Sequence, residues 1–321
     1  MKLLGTLVLI LILAVAAALF FGPREPVDRS ATVDPASLPA DLDAWLAERE
    51  AAVPNLRPGA EKRIVWAGEP GVATPLSVVY LHGFSATSEE IRPVPDEVAA
   101  GLGANLFFTR LAGHGRDGPA MAEPVAGDWI ADLAEAMAIG RRIGGRVLLI
   151  GTSSGGTLAT LAATDPVLSQ GMAGVVLISP NYRINSPAAF LLGLPWVRQW
   201  GPLVAPERGF EPRSAGHAAW WTTNYPTIAA VPLQALVQET MKADFAATRV
   251  PALFLYSVKD QVVVSAAADT VYAEWGGSKA RDLRVMGPGD DPGSHVIAGD
   301  IMSPGQTEQT VQIILDWAEG I

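Results

Sequence analysis

The sequence runs to 321 residues, enough for one large domain carrying an insertion or for two small ones. Hydrophobic residues make up 49% of it and charged ones 17%, which supplies a sizeable core and excludes disorder over most of the length. A net charge of −10 argues against a nucleic-acid partner, and the lack of cysteine removes thiol nucleophiles, disulfides and thiolate metal sites.

Residues Leu3 to Phe21 are an unbroken apolar run, close to the roughly 20 residues that span hydrocarbon as a helix. The favoured reading is an uncleaved membrane anchor over residues 1–22, with the rest of the chain outside the cytoplasm. The alternatives are a secretory signal cleaved after Ala14-Val15-Ala16, releasing the protein, and a buried core helix. Lys2 and Arg24 flank the run almost evenly, so the positive-inside rule orients it only weakly. Residues 23–60 read as a linker rich in proline (Pro23, Pro26, Pro35) and then a helix. Ser37 is the expected cap of that helix over about 38–52, with Leu42, Trp45, Leu46 and Val53 as its apolar stripe against the domain's edge.

From about residue 61 strands and helices alternate. Expected strands are Arg63–Ala67, Ser77–Leu81, Asn105–Leu111, Arg146–Ile150, Gly174–Ser179, Ala252–Ser257 and Leu283–Met286. Expected helices are Ile130–Ile143, Gly155–Ala163, Ala266–Trp275 and Glu308–Ala318. Short continuous apolar runs are the mark of strands covered on both faces, so the expected fold is α/β, a mostly parallel sheet flanked by helices. Ligands in such folds bind beyond the carboxyl ends of the strands.

One interval breaks the rhythm. Asn181 to about Phe245 is far too long for an ordinary connection and is expected to be a largely helical cap over the site. Its aromatics, among them Phe190, Trp196, Trp200, Trp220, Trp221 and Tyr225, are expected mainly to form the cap's own core, with Trp196, Trp220 and Trp221 the candidates for contact with substrate.

The chemistry concentrates at strand ends. Arg146–Ile150 runs into Gly151-Thr152-Ser153-Ser154-Gly155 and then a helix, which is G-x-S-x-G in its strand–turn–helix setting. Ser153 is the expected nucleophile. Ser154 is its rival but would need glycine at 152, where threonine stands. A serine needs a base, and His295 follows the last expected strand in a Gly-containing loop. His82, His114 and His217 have structural or surface readings, and no two histidines have the spacing of a zinc site. The acid that orients the base is expected at Asp260, at the end of a strand, with Asp291 as the rival. Oxyanion donors are expected from the backbone N–H groups of Ser154 and Phe84, Gly83 allowing the close approach; the Phe84 ring is also a candidate wall of the acyl site.

Leu-His-Gly-Phe at 81–84, Leu-Ala-Gly-His-Gly at 111–115, Asp128-Trp129, Gly-Thr-Ser-Ser-Gly-Gly at 151–156 and Ser-His-Val at 294–296 resemble the capped α/β-hydrolases. The similarity covers roughly residues 61–321, expected to be the catalytic domain, and runs closest to bacterial carboxylesterases and monoacylglycerol lipases. It implies ester hydrolysis through an acyl-enzyme at Ser153, with short-chain or monoacylglycerol-type esters as partners and no cofactor or metal. Other acyl hydrolysis or acyl transfer, and a non-catalytic binding protein of the same fold, are the competing readings.

Overall fold

The computed structural model describes residues 2–321. In chain order its elements are α1 (Lys2–Phe21), α2 (Leu42–Ala51), β1 (Arg63–Val65), β2 (Thr74–Leu81), α3 (Val94–Gly101), β3 (Asn105–Phe108), α4 (Ala126–Ile143), β4 (Gly144–Thr152), α5 (Ser154–Thr164) and β5 (Met172–Ile178). There follow α6 (Val197–Val204), β6 (Glu207–Gly209), α7 (Ala215–Trp220), β7 (Asn224–Pro226), α8 (Ala230–Thr240), β8 (Ala252–Tyr256), α9 (Ser265–Glu274), β9 (Lys279–Leu283) and α10 (Thr307–Ala318).

Seven strands form one sheet in the order β1-β3-β2-β4-β5-β8-β9, all parallel except β1 against β3. Successive side chains of a strand point to opposite faces, which is why the apolar runs bury both. Val79, Leu81, Leu149, Val175 and Phe254 pack under α4, α5 and α9. Their neighbours Val78, Tyr80, Leu148, Val176 and Leu253 pack under α3 and α10.

Strand boundaries move where the sheet's edge intervenes. The expected Arg63–Ala67 strand stops at Val65, and the Asn105–Leu111 run leaves the sheet after Phe108. The last strand is Lys279–Leu283, not Leu283–Met286: β9 pairs only with β8, so its Lys279, Arg281 and Leu283 face outward and its polar sequence conceals it, while Val285 stands 75% exposed beyond its end. No helix was legible at α3, which is eight residues long and opens on Pro93 and Pro95.

α2 begins later than expected because Asp41, not Ser37, caps it: the Asp41 carboxylate accepts the Ala44 N–H at 2.9 Å, while Pro35–Ser37 forms a separate 3-10 turn capped by Asp34. The helix is more than an edge decoration, since Leu42 and Leu46 belong to the same core as Phe107 and Leu133. Glu50, near its C-terminus, is buried and takes two bonds from Arg110 (2.6 and 2.9 Å) and one from the Lys62 N–H.

Removing one partner of a buried ion pair strands the other charge. Glu50→Ala should therefore lose about 3–5 kcal/mol in denaturant unfolding, and pairing it with Arg110→Met should recover most of the loss. A cost no larger than that of a surface substitution would show that this pair does not tie α2 to the sheet.

Candidate active site

Between β4 and α5 the chain reverses at Ser153, whose φ is +53° and ψ −115°. Non-glycine residues avoid this region, and the turn is possible only because glycine flanks it: a methyl on Gly151 would collide with the Gly155 carbonyl, and one on Gly155 with the Leu81 carbonyl. The Ser153 N–H donates to the Ile178 carbonyl at the end of β5 (2.9 Å), and its own carbonyl accepts from Thr157 and Asn181. The hydroxyl is thus presented at the N-terminus of α5, where the helix dipole favours negative charge.

The three side chains expected to act together are hydrogen-bonded in series. Asp260 follows β8, and its Oδ1 accepts the Val262 and Val263 N–H groups (2.8 and 2.9 Å), leaving Oδ2 2.7 Å from His295 Nδ1. His295 Nε2 lies 2.9 Å from Ser153 Oγ. With Nδ1–H donated to Asp260, Nε2 is left to accept the serine proton. All three are less than a tenth exposed.

Asp291, the rival acid, does other work. Its two oxygens accept the N–H groups of Gly293, His295 and Val296 and bind the Arg213 guanidinium, so it shapes the loop carrying the imidazole without touching the ring. That loop is tied to the Asp260 loop by Gln261 N–H donating to the Gly293 carbonyl at 2.9 Å.

Phe84 lies in the turn after β2, beside Ser153: a Cβ on Gly83 would stand 3.2 Å from that of Ser153. Among the described residues, neither the Phe84 nor the Ser154 N–H has a hydrogen-bond acceptor. Two backbone amides, one next to Ser153 and one next to Gly83 in sequence, thus have no protein acceptor.

These groups open into a cavity of about 430 Å³, a size suited to a small ligand. Phe84, Ile184, Leu192, Trp221 and Leu233 give it apolar walls. Two expectations are corrected. Trp196 does not line it; this residue is 46% exposed at the base of α1, where its N–H donates to the Pro23 carbonyl. Trp220 packs instead over Gly59 and against the α3/α10 layer. The 181–245 interval also divides. α8 packs on α5 and enters the main core through Leu233 and Leu236, while its first turn also lines the cavity through Ala230 and Leu233; a two-stranded β6–β7 pair lies among the helices that precede it. Aliphatic Leu192, Val197 and Val231, rather than a ring of aromatics, make this segment's own small core, with Trp200 against it.

Tyr225, expected mainly in the interval's own core, lines the cavity, and so do residues given no such role in the sequence: Glu90, Arg213 and His217. Glu90 is 2% exposed and takes the Gly83 N–H at 2.7 Å, while the adjacent Glu89 pairs outward with Arg63 and Arg92. Two neighbouring glutamates in a polar stretch carry no sequence signal that separates these fates.

The electrostatics distinguish the four imidazoles. Burial lowers the pKa of His295, but Asp260, with smaller help from Glu90 and Asp291, more than offsets this and lifts it above the ordinary 6.5. Burial drives His82 down to about 4, its Nε2 accepting the Leu111 N–H, and holds His114 well below 6.5. His217 is lowered by burial and by Arg213. Among the described residues no group of three His, Asp or Glu side chains could hold a metal ion.

The alpha/beta hydrolase family model matches residues 78–310. Over 199 residues the chain is 28% identical to the thermostable monoacylglycerol lipase of Bacillus sp. (strain H-257), a match covering 62% of this chain and 76% of that one. A structure of the metagenome-derived lipolytic enzymes LipS and LipT superposes with a TM-score of 0.66 at 22% identity, covering 83% of this chain and 100% of the other. A soluble variant of the Saccharomyces cerevisiae monoglyceride lipase, in complex with a substrate analogue, superposes at 0.61 with 13% identity, covering 84% and 95%. At such identities the solved structures speak to the fold.

Imidazole titration followed by NMR should separate the histidines, with His295 protonating above pH 6.5 and His82 near 4. Asp260→Asn should pull the His295 midpoint down, because it removes the charge that favours the imidazolium. A midpoint that stays put would mean another group supports the ring.

Proposed function

The chain belongs to the alpha/beta hydrolase family, and we propose on that premise that it is a carboxylic ester hydrolase with Ser153 as nucleophile, His295 as general base and acid, and Asp260 as its orienting carboxylate. The observation that carries this reading is the unbroken series from Asp260 Oδ2 through both ring nitrogens of His295 to Ser153 Oγ. Serine alone is a weak nucleophile; this series gives it a base of the right tautomer.

In acylation, Ser153 Oγ attacks the ester carbonyl carbon as its proton passes to His295 Nε2. The carbonyl oxygen, now an alkoxide, takes the N–H groups of Phe84 and Ser154. The intermediate collapses with cleavage of the C–O bond to the alcohol, which leaves with the proton held at Nε2. Water then gives a proton to the same nitrogen as it attacks the acyl carbon; the bond from that carbon to Oγ breaks, Oγ takes the proton from Nε2, and the carboxylic acid leaves with Ser153 restored. The apolar cavity and the relative's activity support short-chain or monoacylglycerol-type esters as substrates.

Leu3–Phe21, with a mean hydropathy of 2.9 and none of its residues buried, is proposed to anchor the enzyme with its catalytic part outside the cytoplasm. Its base is fastened to the inserted segment: Gly22 packs on Trp196, and Glu25 pairs with Arg198 at 2.6 Å. Exposed Phe190, Leu203 and Val204 belong to that same segment. A bilayer around α1 would therefore lie beside the substrate-binding segment, which suits lipidic esters.

A fluorophosphonate probe should label the wild type and not Ser153→Ala, and p-nitrophenyl esters should turn over far faster than matched amides. Asp260→Asn should cost kcat on the order of 10⁴, as the corresponding change does elsewhere, and far more than Asp291→Asn; the opposite ranking would move the acid to Asp291. Labelling that survives in the Ser153→Ala variant would sink the serine mechanism. For the anchor, the full chain should need detergent for extraction, whereas a chain beginning at Arg24 should be freely soluble. A full chain recovered soluble with its N-terminus trimmed would establish signal cleavage instead.

A further inference from the structure

Glu90 and the nucleophile both come close to residue 83. A Cβ on Gly83 would meet the Glu90 carboxylate at 2.6 Å and Ser153 Cβ at 3.2 Å, so the space next to this backbone is already filled by the two. Glu90 Oε2 accepts the Gly83 N–H at 2.7 Å and the Tyr80 hydroxyl at 3.0 Å. That phenol oxygen lies 3.2 Å from Oγ1 of Thr152, the residue before the nucleophile. A polar chain thus runs from the peptide preceding the Phe84 amide to the strand that delivers Ser153.

An acceptor at this place needs no charge; glutamine would serve the Gly83 amide as well. An ionised carboxylate with only two hydrogen bonds is costly to bury. Its presence is explained if the charge is used, and the charge is felt at His295, which opens into the same cavity. The other ionisable groups on these two residues are Tyr80 from β2 beside Glu90, and Asp260 and Asp291 around His295; Glu89 and Arg92 pair with each other at the surface.

We propose that Glu90 is a positioning residue for the reaction: its carboxylate clamps the Gly83 amide so that the following amide, that of Phe84, stays aimed at the oxyanion, and its negative charge steadies the imidazolium form of His295. This rests on ester hydrolysis at Ser153. Burial pushes the Glu90 carboxyl up to about 7 while the Gly83 amide, the Tyr80 hydroxyl and His295 draw it back, and Glu90 in turn helps to raise His295.

The test is the pH profile of p-nitrophenyl ester hydrolysis by the full chain, as wild type, Glu90→Ala and Glu90→Gln, with folding checked by near-UV circular dichroism. Glu90→Ala frees the Gly83 amide and should lower kcat about 10- to 100-fold with KM nearly unchanged, less than the roughly 10²–10³ cost of deleting an oxyanion donor outright. Glu90→Gln keeps the acceptor and should restore most of kcat at pH 8. It removes the charge, so the imidazole loses its proton more readily and the acid limb should move to lower pH. A folded Glu90→Ala with kcat within about threefold of wild type overturns the clamp, and an unmoved acid limb in Glu90→Gln overturns the electrostatic role. Glu90→Gln carries the test alone if the alanine variant does not fold. Wild type that turns over no ester overturns the hydrolase reading along with this one, whereas active wild type with indifferent Glu90 variants overturns this one only.

Discussion

The left-handed backbone at Ser153 is the constraint on which the site's geometry rests. Holding a non-glycine residue there costs of order 1–3 kcal/mol, and the surroundings must over-determine it. They do so through the sheet: the Ser153 N–H is held by the end of β5, its carbonyl by Thr157 and Asn181, and the two flanking glycines let β2 and α5 close in until no side chain would fit. Central strands buried on both faces are rigid enough to bear this. The same crowding brings the turn after β2, with Gly83 and Phe84, against the serine. The sharp turn and the amide donors beside it are thus products of one close packing of β2, β4 and β5.

Three carboxylates surround one imidazole, and their hydrogen-bond donors decide what each can do. Asp291 accepts three backbone N–H groups and an arginine; burial raises its pKa, but these donors outweigh burial and keep it below the ordinary carboxylate range. It is a permanently charged brace for its own loop. Asp260 divides its oxygens, one to two backbone amides and one to the ring. Glu90 has a single amide and a phenol, too little to offset burial, and its pKa rises. Nearby His82 and His114 are packed so deeply that they stay neutral, and His82 instead pins the chain at Leu111 through its ring nitrogen. The cavity therefore contains one imidazole whose protonation is supported by its neighbours, and that one faces the serine.

What was legible in the sequence follows from this physics. Central strands such as Ala252–Tyr256 show as apolar runs because both faces are buried, and the G-x-S-x-G turn shows because only glycine fits beside it. β9 did not show, because an edge strand with one open face keeps Lys279 and Arg281 there. The order Ser153, Asp260, His295, each following a strand, was readable along the chain, and the structure brings the three together, although His295 lies in a longer loop past Leu283 than the expected strand implied. Which cap tryptophans would face the cavity was not readable: Trp220 and Trp221 are adjacent in sequence, yet only Trp221 reaches it, because that choice is made by the rotation of a six-residue helix ending at Trp220. Glu89 and Glu90 pose the same problem at a single step of a 3-10 turn.

The cavity is composite, and that division bears on how selectivity can vary. The serine, the imidazole and the free amides come from turns and loops that follow strands of the rigid sheet, whereas Ile184, Leu192, Phe210, Trp221 and Tyr225 come from the inserted segment. That segment has its own small aliphatic core and meets the sheet mainly through α8 and a few loop bonds, such as Thr222 N–H to the Ser85 carbonyl at 2.7 Å. Changes within its core would reshape the walls while leaving the strained turn and its partners undisturbed. Close to the chemistry, the Arg213–Asp291 ion pair joins the insertion to the loop carrying His295, and the Asn185 N–H, donating to the Val262 carbonyl at 2.9 Å, joins it to the loop carrying Asp260. A rearrangement of the insertion that drew Arg213 away would leave Asp291 its three amide bonds, so the loop that carries His295 is held from within and does not depend on the segment above it for its shape.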